Sequence, residues 1–185
     1  MRISIIALAA GACLALALPA SAQVINGDFE LGGLGWTVAV PPTWSGSFPA
    51  AGGNPGGFAD IRSPFGNSGG TGCVLQTFTC GDPDVGTACV FTLDYFLDNI
   101  DASSLSGRIR IYVDGLLLFT SAPADDIPWS AVSFTVPCGV HTIQLCLQVD
   151  AGNNGWEAGF DNVIAECDDS VPAEKLDWST VKTLY

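Results

Sequence analysis

In the stretch HTIQLCLQVD, apolar and polar side chains take turns. Ile143, Leu145, Leu147 and Val149 fall on one side, and Thr142, Gln144, Cys146 and Gln148 on the other. A period of two places alternate residues on opposite faces of a strand, so this segment reads as a β-strand with one buried face. SAVSFTV repeats the pattern with Val132, Phe134 and Val136 inward. GRIRIYVDG does so with Ile109, Ile111 and Val113 inward and Arg108, Arg110 and Tyr112 behind them. Asp114-Gly115 then predicts a tight reversal into LLLFT, because both central positions of a type I′ turn need positive φ. Further strands are predicted at 73–79, 89–98 and 159–166. Helical periodicity is almost absent. The pattern specifies an all-β fold, an antiparallel β-sandwich.

Three segments depart from this pattern. Residues 41–72 are crowded with Gly, Pro and Ser, which favour loops, and leave room for one short strand near Phe58 to Arg62. Residues 1–22 carry Arg2, an apolar run from Ile3 to Leu18 and then Ala20-Ser21-Ala22, the arrangement of a cleaved secretory signal peptide with the mature chain starting at Gln23. Cys13 brings a lipoprotein signal to mind, but Ala10 stands where such signals usually have Leu. Nothing after residue 22 is apolar and long enough to span a bilayer. The folded domain is expected over 23–168. Residues 169–185 form a tail in which Leu176, Val181 and Leu184 could share a helical face beside Trp178; a helix this short is marginal in water, so poor order is expected.

Charge and cysteine content narrow the setting. Six basic residues stand against 19 acidic ones, for a net charge of −13. That surface repels nucleic acid and anionic membranes and suits a secreted, soluble monomer. Cys73, Cys80, Cys89, Cys138, Cys146 and Cys167 follow the leader, an even set that reads as disulfides in an exported chain. Cys80 and Cys89 flank the turn-rich GDPDVGTA and are expected to pair across a hairpin. A metal cluster is the weaker reading, since there is no CxxC pair and His141 is the sole histidine.

In chain order, NGDFELGGLGWTV, RIYVDGLLLF, IPWSAVSFTV, CGVHTIQL and GFDNVIA resemble the carbohydrate-binding modules of the galactose-binding-like jelly-roll type. The likeness covers roughly residues 24–167. It implies a jelly roll whose first and last strands meet at one edge, where a structural Ca²⁺ commonly sits; the matching ligands are Asp28, Glu30 and Asp161. Calcium takes six to eight oxygens, several from carbonyls, and GNSGG at 66–70 is a candidate source. Alternation in NGDFE would bury Phe29 and set Asp28 and Glu30 together at the rim, where a cation relieves their repulsion. Two solvated acids kept beside a turn are the plainer alternative. Trp36 and Trp129 match core positions. Trp44 and Trp156 lie among turn residues, either as sugar-stacking platforms or as loop packing. Arg108, Arg110 and Tyr112 are expected across from Thr92, Asp94, Gln144 and Gln148, a polar face able to bond sugar hydroxyls or simply to be solvated.

Catalysis is not expected. GNSGG around Ser68 is similar to the GDSGG nucleophile loop of trypsin-like proteases, but in that family the histidine precedes the serine, and here His141 follows. Asp94, Asp98 and Asp101 could serve glycoside cleavage, yet nothing in the sequence marks one of them as an acid. The reading is a secreted, non-catalytic binder of a glycan or polysaccharide. A structural or adhesion protein without a sugar ligand, using Trp178, Lys182 and Tyr185 to dock, is the alternative.

Overall fold

The computed structural model describes residues 24–66, 69–81, 88–100, 107–124, 126–150 and 155–167. The expected leader and tail, Asn67 and Ser68 of GNSGG, and Asp101 lie outside the described residues. The strands are β1 (Thr37–Ala39), β2 (Ser45–Ser47), β3 (Ala59–Ser63), β4 (Gly70–Cys80), β5 (Ala88–Asn99), β6 (Gly107–Val113), β7 (Leu116–Thr120), β8 (Asp126–Pro137), β9 (Gly139–Val149) and β10 (Trp156–Cys167). They form two five-stranded sheets, in the orders β1-β4-β9-β6-β7 and β2-β3-β10-β5-β8. Neighbouring strands are antiparallel throughout. Among the described residues no helix is long and apolar enough to cross a membrane.

The sandwich interior is where the alternation placed it. Ile109, Ile111, Ile143, Leu145 and Leu147 from the first sheet meet Ile61, Phe91, Leu93, Leu97 and Phe160 from the second, all essentially without solvent exposure. Two stacked sheets with interleaved inner faces are the normal way to bury such a set. Val132 and Phe134 are only half-buried, because β8 is the edge strand of its sheet. Asp114 (φ 51°) and Gly115 (φ 79°) make the expected reversal.

The predicted Cys80–Cys89 disulfide is present, and a second joins Cys73 of β4 to Cys146 of β9. The latter two are register partners, so the bond links adjacent strands on their outer side.

The opening segment differs from expectation. Residues 25–35 form a series of turns rather than a strand, with Asn26 and Phe29 at φ of 51° and 52°. Phe29 is nevertheless in the core at 1% exposure, its ring 5.0 Å from Trp36 and 5.9 Å from Phe48. The two ends of the domain still meet: the Val163 N–H of β10 donates to the Gly27 carbonyl at 2.9 Å. Gly27 has to be glycine here, since a Cβ would stand 2.0 Å from the Val163 carbonyl oxygen.

Candidate functional site

The outer face of the second sheet is built on β10, which lies between β3 and β5. Glu157, Gly159 and Asp161 fall on the outward phase of this strand, while Trp156, Ala158 and Phe160 fill the core. Gly159 is flanked by Asp60 and Phe96, and Glu157 by Arg62 and Asp98. The Phe96 ring lies directly across Gly159, where a Cβ would meet its Cε1 at 2.0 Å. Beside it the β5–β8 register slips between Tyr95 and Leu97, and the resulting bulge carries Pro128 and Trp129. Trp129 stands edge-on to two rings, at 4.8 Å and 74° to Phe96 and at 6.0 Å and 87° to Phe58. A cleft of about 450 Å³ opens here, walled by Phe96, Ile127, Pro128 and Trp129 with Asp98 and Asp126.

Charged groups continue the face. The Arg62 Nε donates to Asp60 Oδ2 and its Nη2 to Glu157 Oε1, each at 2.9 Å. Asp60 is 3% exposed; Oδ2 also accepts from the Ser47 hydroxyl, whereas the buried Oδ1 has no partner. Burial raises the Asp60 pKa against the opposing pull of Arg62. Burial also raises that of Glu157, reinforced by the Asp60 charge. Asp98 is raised by burial and then by a hydrogen bond to Asp126 and the Asp126 charge. Asp98 and Asp126 are cross-strand partners, and the Asp126 carboxylate adds to the larger effect of burial on Asp98. Aromatic rings beside planar donors and acceptors suit a ligand with an apolar face and hydroxyl edges.

The residues expected to bind ligand divide between three places. Trp44 and Trp156 are corrected: they are 7% and 0% exposed, so neither offers an indole face to a sugar. Trp156 opens β10 and packs over Gly107, whose missing side chain leaves space for the ring. Arg110, Tyr112 and Gln144 do come together, on the outer face of the first sheet. Tyr112 pairs with Gln144, and the Arg110 Nη1 donates to the Tyr112 hydroxyl at 3.3 Å. Arg110 Nε and Gln148 Oε1 are buried there without partners. Thr92 and Asp94 belong to β5 and the opposite sheet, so they are not part of that face. Trp129, expected in the core, is half-buried at the cleft.

The expected calcium ligands collect around a turn the sequence did not single out. Asp161, fully buried, accepts from the Asn54 N–H at 2.6 Å and the Asn162 N–H at 2.7 Å. Glu30 Oε1 accepts from the Gly57 N–H at 3.0 Å. Both carboxylates therefore hold the glycine-rich turn at 52–57, which closes on itself through the Gly53 N–H and the Gly56 carbonyl. Of GNSGG, Gly70 faces Pro41 and Trp44 rather than this turn, and Asn67 and Ser68 lie outside the described residues. Asp28 stays close enough to add to the raised pKa of Asp161, after burial and Asp94, but its own hydrogen bond is to the Glu30 N–H at 3.4 Å. The turn segment, unlike a strand, sends Asp28 and Glu30 to different partners. Among the described residues no three His, Cys, Asp or Glu side chains converge as a metal cluster. Any cation here would depend on two carboxylates plus main-chain carbonyls, a donor set calcium accepts.

No family model matches the chain, and no curated protein does. Solved structures do match, and carbohydrate-binding modules with a β-sandwich dominate them. A family 61 module solved with β-1,4-galactotriose shares 12% identity over 78% of this chain and 97% of its own, at a TM-score of 0.50. The K3 cleaved adhesin domain of Lys-gingipain from Porphyromonas gingivalis shares 16% identity over 78% of this chain and 98% of its own, at 0.51. The chain has the fold of these modules.

Proposed function

We propose that this protein is an exported, non-catalytic glycan-binding module and that the sugar lies along the outer face of the β2-β3-β10-β5-β8 sheet. The observation that carries this reading is the Phe96–Trp129 pair, raised beside bare Gly159 and continuous with the Arg62, Asp60 and Glu157 row. Sugar rings stack their C–H faces on such aromatics, and planar ion pairs bind vicinal hydroxyls in two-point fashion. The carboxyl pairs argue for binding over cleavage. Glycosidases need two carboxyl groups about 5–9.5 Å apart to straddle a bond, whereas Asp98 and Asp126 stand side by side as register partners on β5 and β8 and Asp60 and Glu157 are clamped by one arginine.

In the same reading a structural Ca²⁺ is held by Glu30 and Asp161 with carbonyl oxygens of the 52–57 turn, and Asp28 adds negative charge nearby. The ion supplies charge neutralisation for a fully buried carboxylate and fixes a turn whose Gly52 also walls the cleft. The fold is shared with an adhesin domain, which keeps adhesion without a sugar as the rival.

A glycan array on the mature protein, followed by calorimetry on the best ligand, tests the reading. Trp129→Ala and Arg62→Ala should each weaken binding about tenfold or more, the scale of a lost stacking or charged contact, while Arg110→Ala should not. Loss of affinity with Arg110→Ala but not Trp129→Ala would move the site to the other sheet. No binding to any glycan would favour adhesion.

A further inference from the structure

We infer that the ligand is an amino sugar polymer, bound with a protonated C2 ammonium against the Asp98–Asp126 pair and its pyranose ring on Trp129 and Phe96. This deepens the proposed function and rests on it. Three features of the cleft and of the sheet face beside it lead there. Its wall puts two carboxyl groups side by side on neighbouring strands next to two aromatic rings. Arg62, on this face, forms its ion pairs with Asp60 and Glu157, and its charge on Asp98 is outweighed by burial and Asp126. Asp60, nine-tenths buried and more, leaves Oδ1 without a hydrogen-bond donor on the same face.

A neutral sugar would have to desolvate this negative charge without compensating it. An ammonium compensates it, and it can also sit against the negative face of an aromatic ring. The raised pKa of Asp98, caused by burial and then by Asp126 against the weaker pull of Arg62, agrees with the placement of the two carboxyl groups side by side. A bound cation lets both groups ionise. Flat aromatic walls favour a pyranose over a lone lysine side chain, because they offer ring-sized contact as well as charge.

Three β-1,4-linked hexasaccharides that differ only at C2 isolate this claim: glucosamine, N-acetylglucosamine and glucose, which place an ammonium, an acetamide and a hydroxyl at the same position. Titration calorimetry at low salt and pH about 6, where an amine of this kind is protonated, should give the glucosamine chain at least about tenfold higher affinity than the glucose chain. In the Asp98→Asn/Asp126→Asn protein the ratio of the two affinities should fall to about one. Thermal melts confirm that the variant is folded.

Equal or weaker binding of the glucosamine chain, or a preference that survives the double substitution, would overturn the inference. So would a lysine hexapeptide that binds as tightly as the glucosamine chain, since the site would then select charge rather than sugar. If neutral glycans bind in a Trp129-dependent way without any amino preference, this inference fails and the proposed function stands. If no glycan binds at all, that function fails first.

Discussion

Replacing Asp161 by Asn probes the clasp between the 52–57 turn and β10. The carboxylate is fully buried and accepts two main-chain N–H bonds, from Asn54 and Asn162. Asn keeps one acceptor oxygen and turns an NH₂ toward the other N–H. One bond is lost and two donors face each other, a cost of about 1–3 kcal/mol. Removing the charge offsets part of this in the metal-free protein, because Asp94 and Asp28 both repel it.

With calcium the balance changes. At a free ion concentration about 100 times Kd the wild type gains about 2.7 kcal/mol. For a domain of this size that is a rise in Tm of roughly 5–11 °C. Asp161→Asn should lose most of that gain. Scanning calorimetry with calcium and with a chelator reads both numbers.

The pH dependence has a definite sign. Burial raises the folded-state pKa of Asp161, so its contribution is fully present below the ordinary carboxylate pKa and is lost as pH rises through the raised value. In chelator, Tm should therefore climb as pH falls through that value toward the ordinary carboxylate pKa, and the substitution should flatten this part of the curve. A wild-type Tm indifferent to calcium, or an Asp161→Asn protein that responds in full, would refute the ion.

Two further variants test the packing that supports the site. Gly107→Ala places a Cβ 2.5 Å from Cε3 of the fully buried Trp156, and such overpacking should cost about 1–3 kcal/mol, read as a lower urea midpoint at unchanged m; an unshifted midpoint would mean the ring can retreat. Removing the Cys73–Cys146 bond as a double Ala variant releases a link across 73 residues of sequence, worth about 4 kcal/mol on loop-entropy grounds. Glycan affinity should not change, because that bond lies on the other sheet.

What the sequence disclosed follows the range of its signals. Strands β6 and β9 were legible because seven or more residues alternate against one core, and Asp114-Gly115 was legible because few residues accept its dihedral angles. Alternation separates inside from outside but does not say to which of two sheets a strand belongs. Arg110 and Asp94 were therefore set on one face when they occupy opposite ones. Strands β1 and β2 are three residues each, too short to show a period.

Trp129 was misplaced because the resemblance set it in the core, whereas the inward phase of Val132, Phe134 and Val136 already puts residue 129 on the other face, where it stands at the β5–β8 bulge. Trp156 was misplaced because its space is made by Gly107, distant in sequence. One signal at the cleft was available: in LDYFLD, Phe96 is an aromatic on the phase otherwise held by Asp94 and Asp98. An apolar ring on a polar phase is an invitation to look for a ligand. The 52–57 turn carried no comparable mark, since GGNPGG resembles its loop neighbours.

The Cys73–Cys146 bond has a consequence for durability against proteases. It closes a covalent ring that contains β5, β6, β7 and β8, and so includes Phe96, Asp98, Asp126 and Trp129. A protease that nicks the backbone once anywhere within this ring releases no fragment. The severed halves stay tethered and can keep their strands paired, so a single scission need not detach the strands of the candidate site.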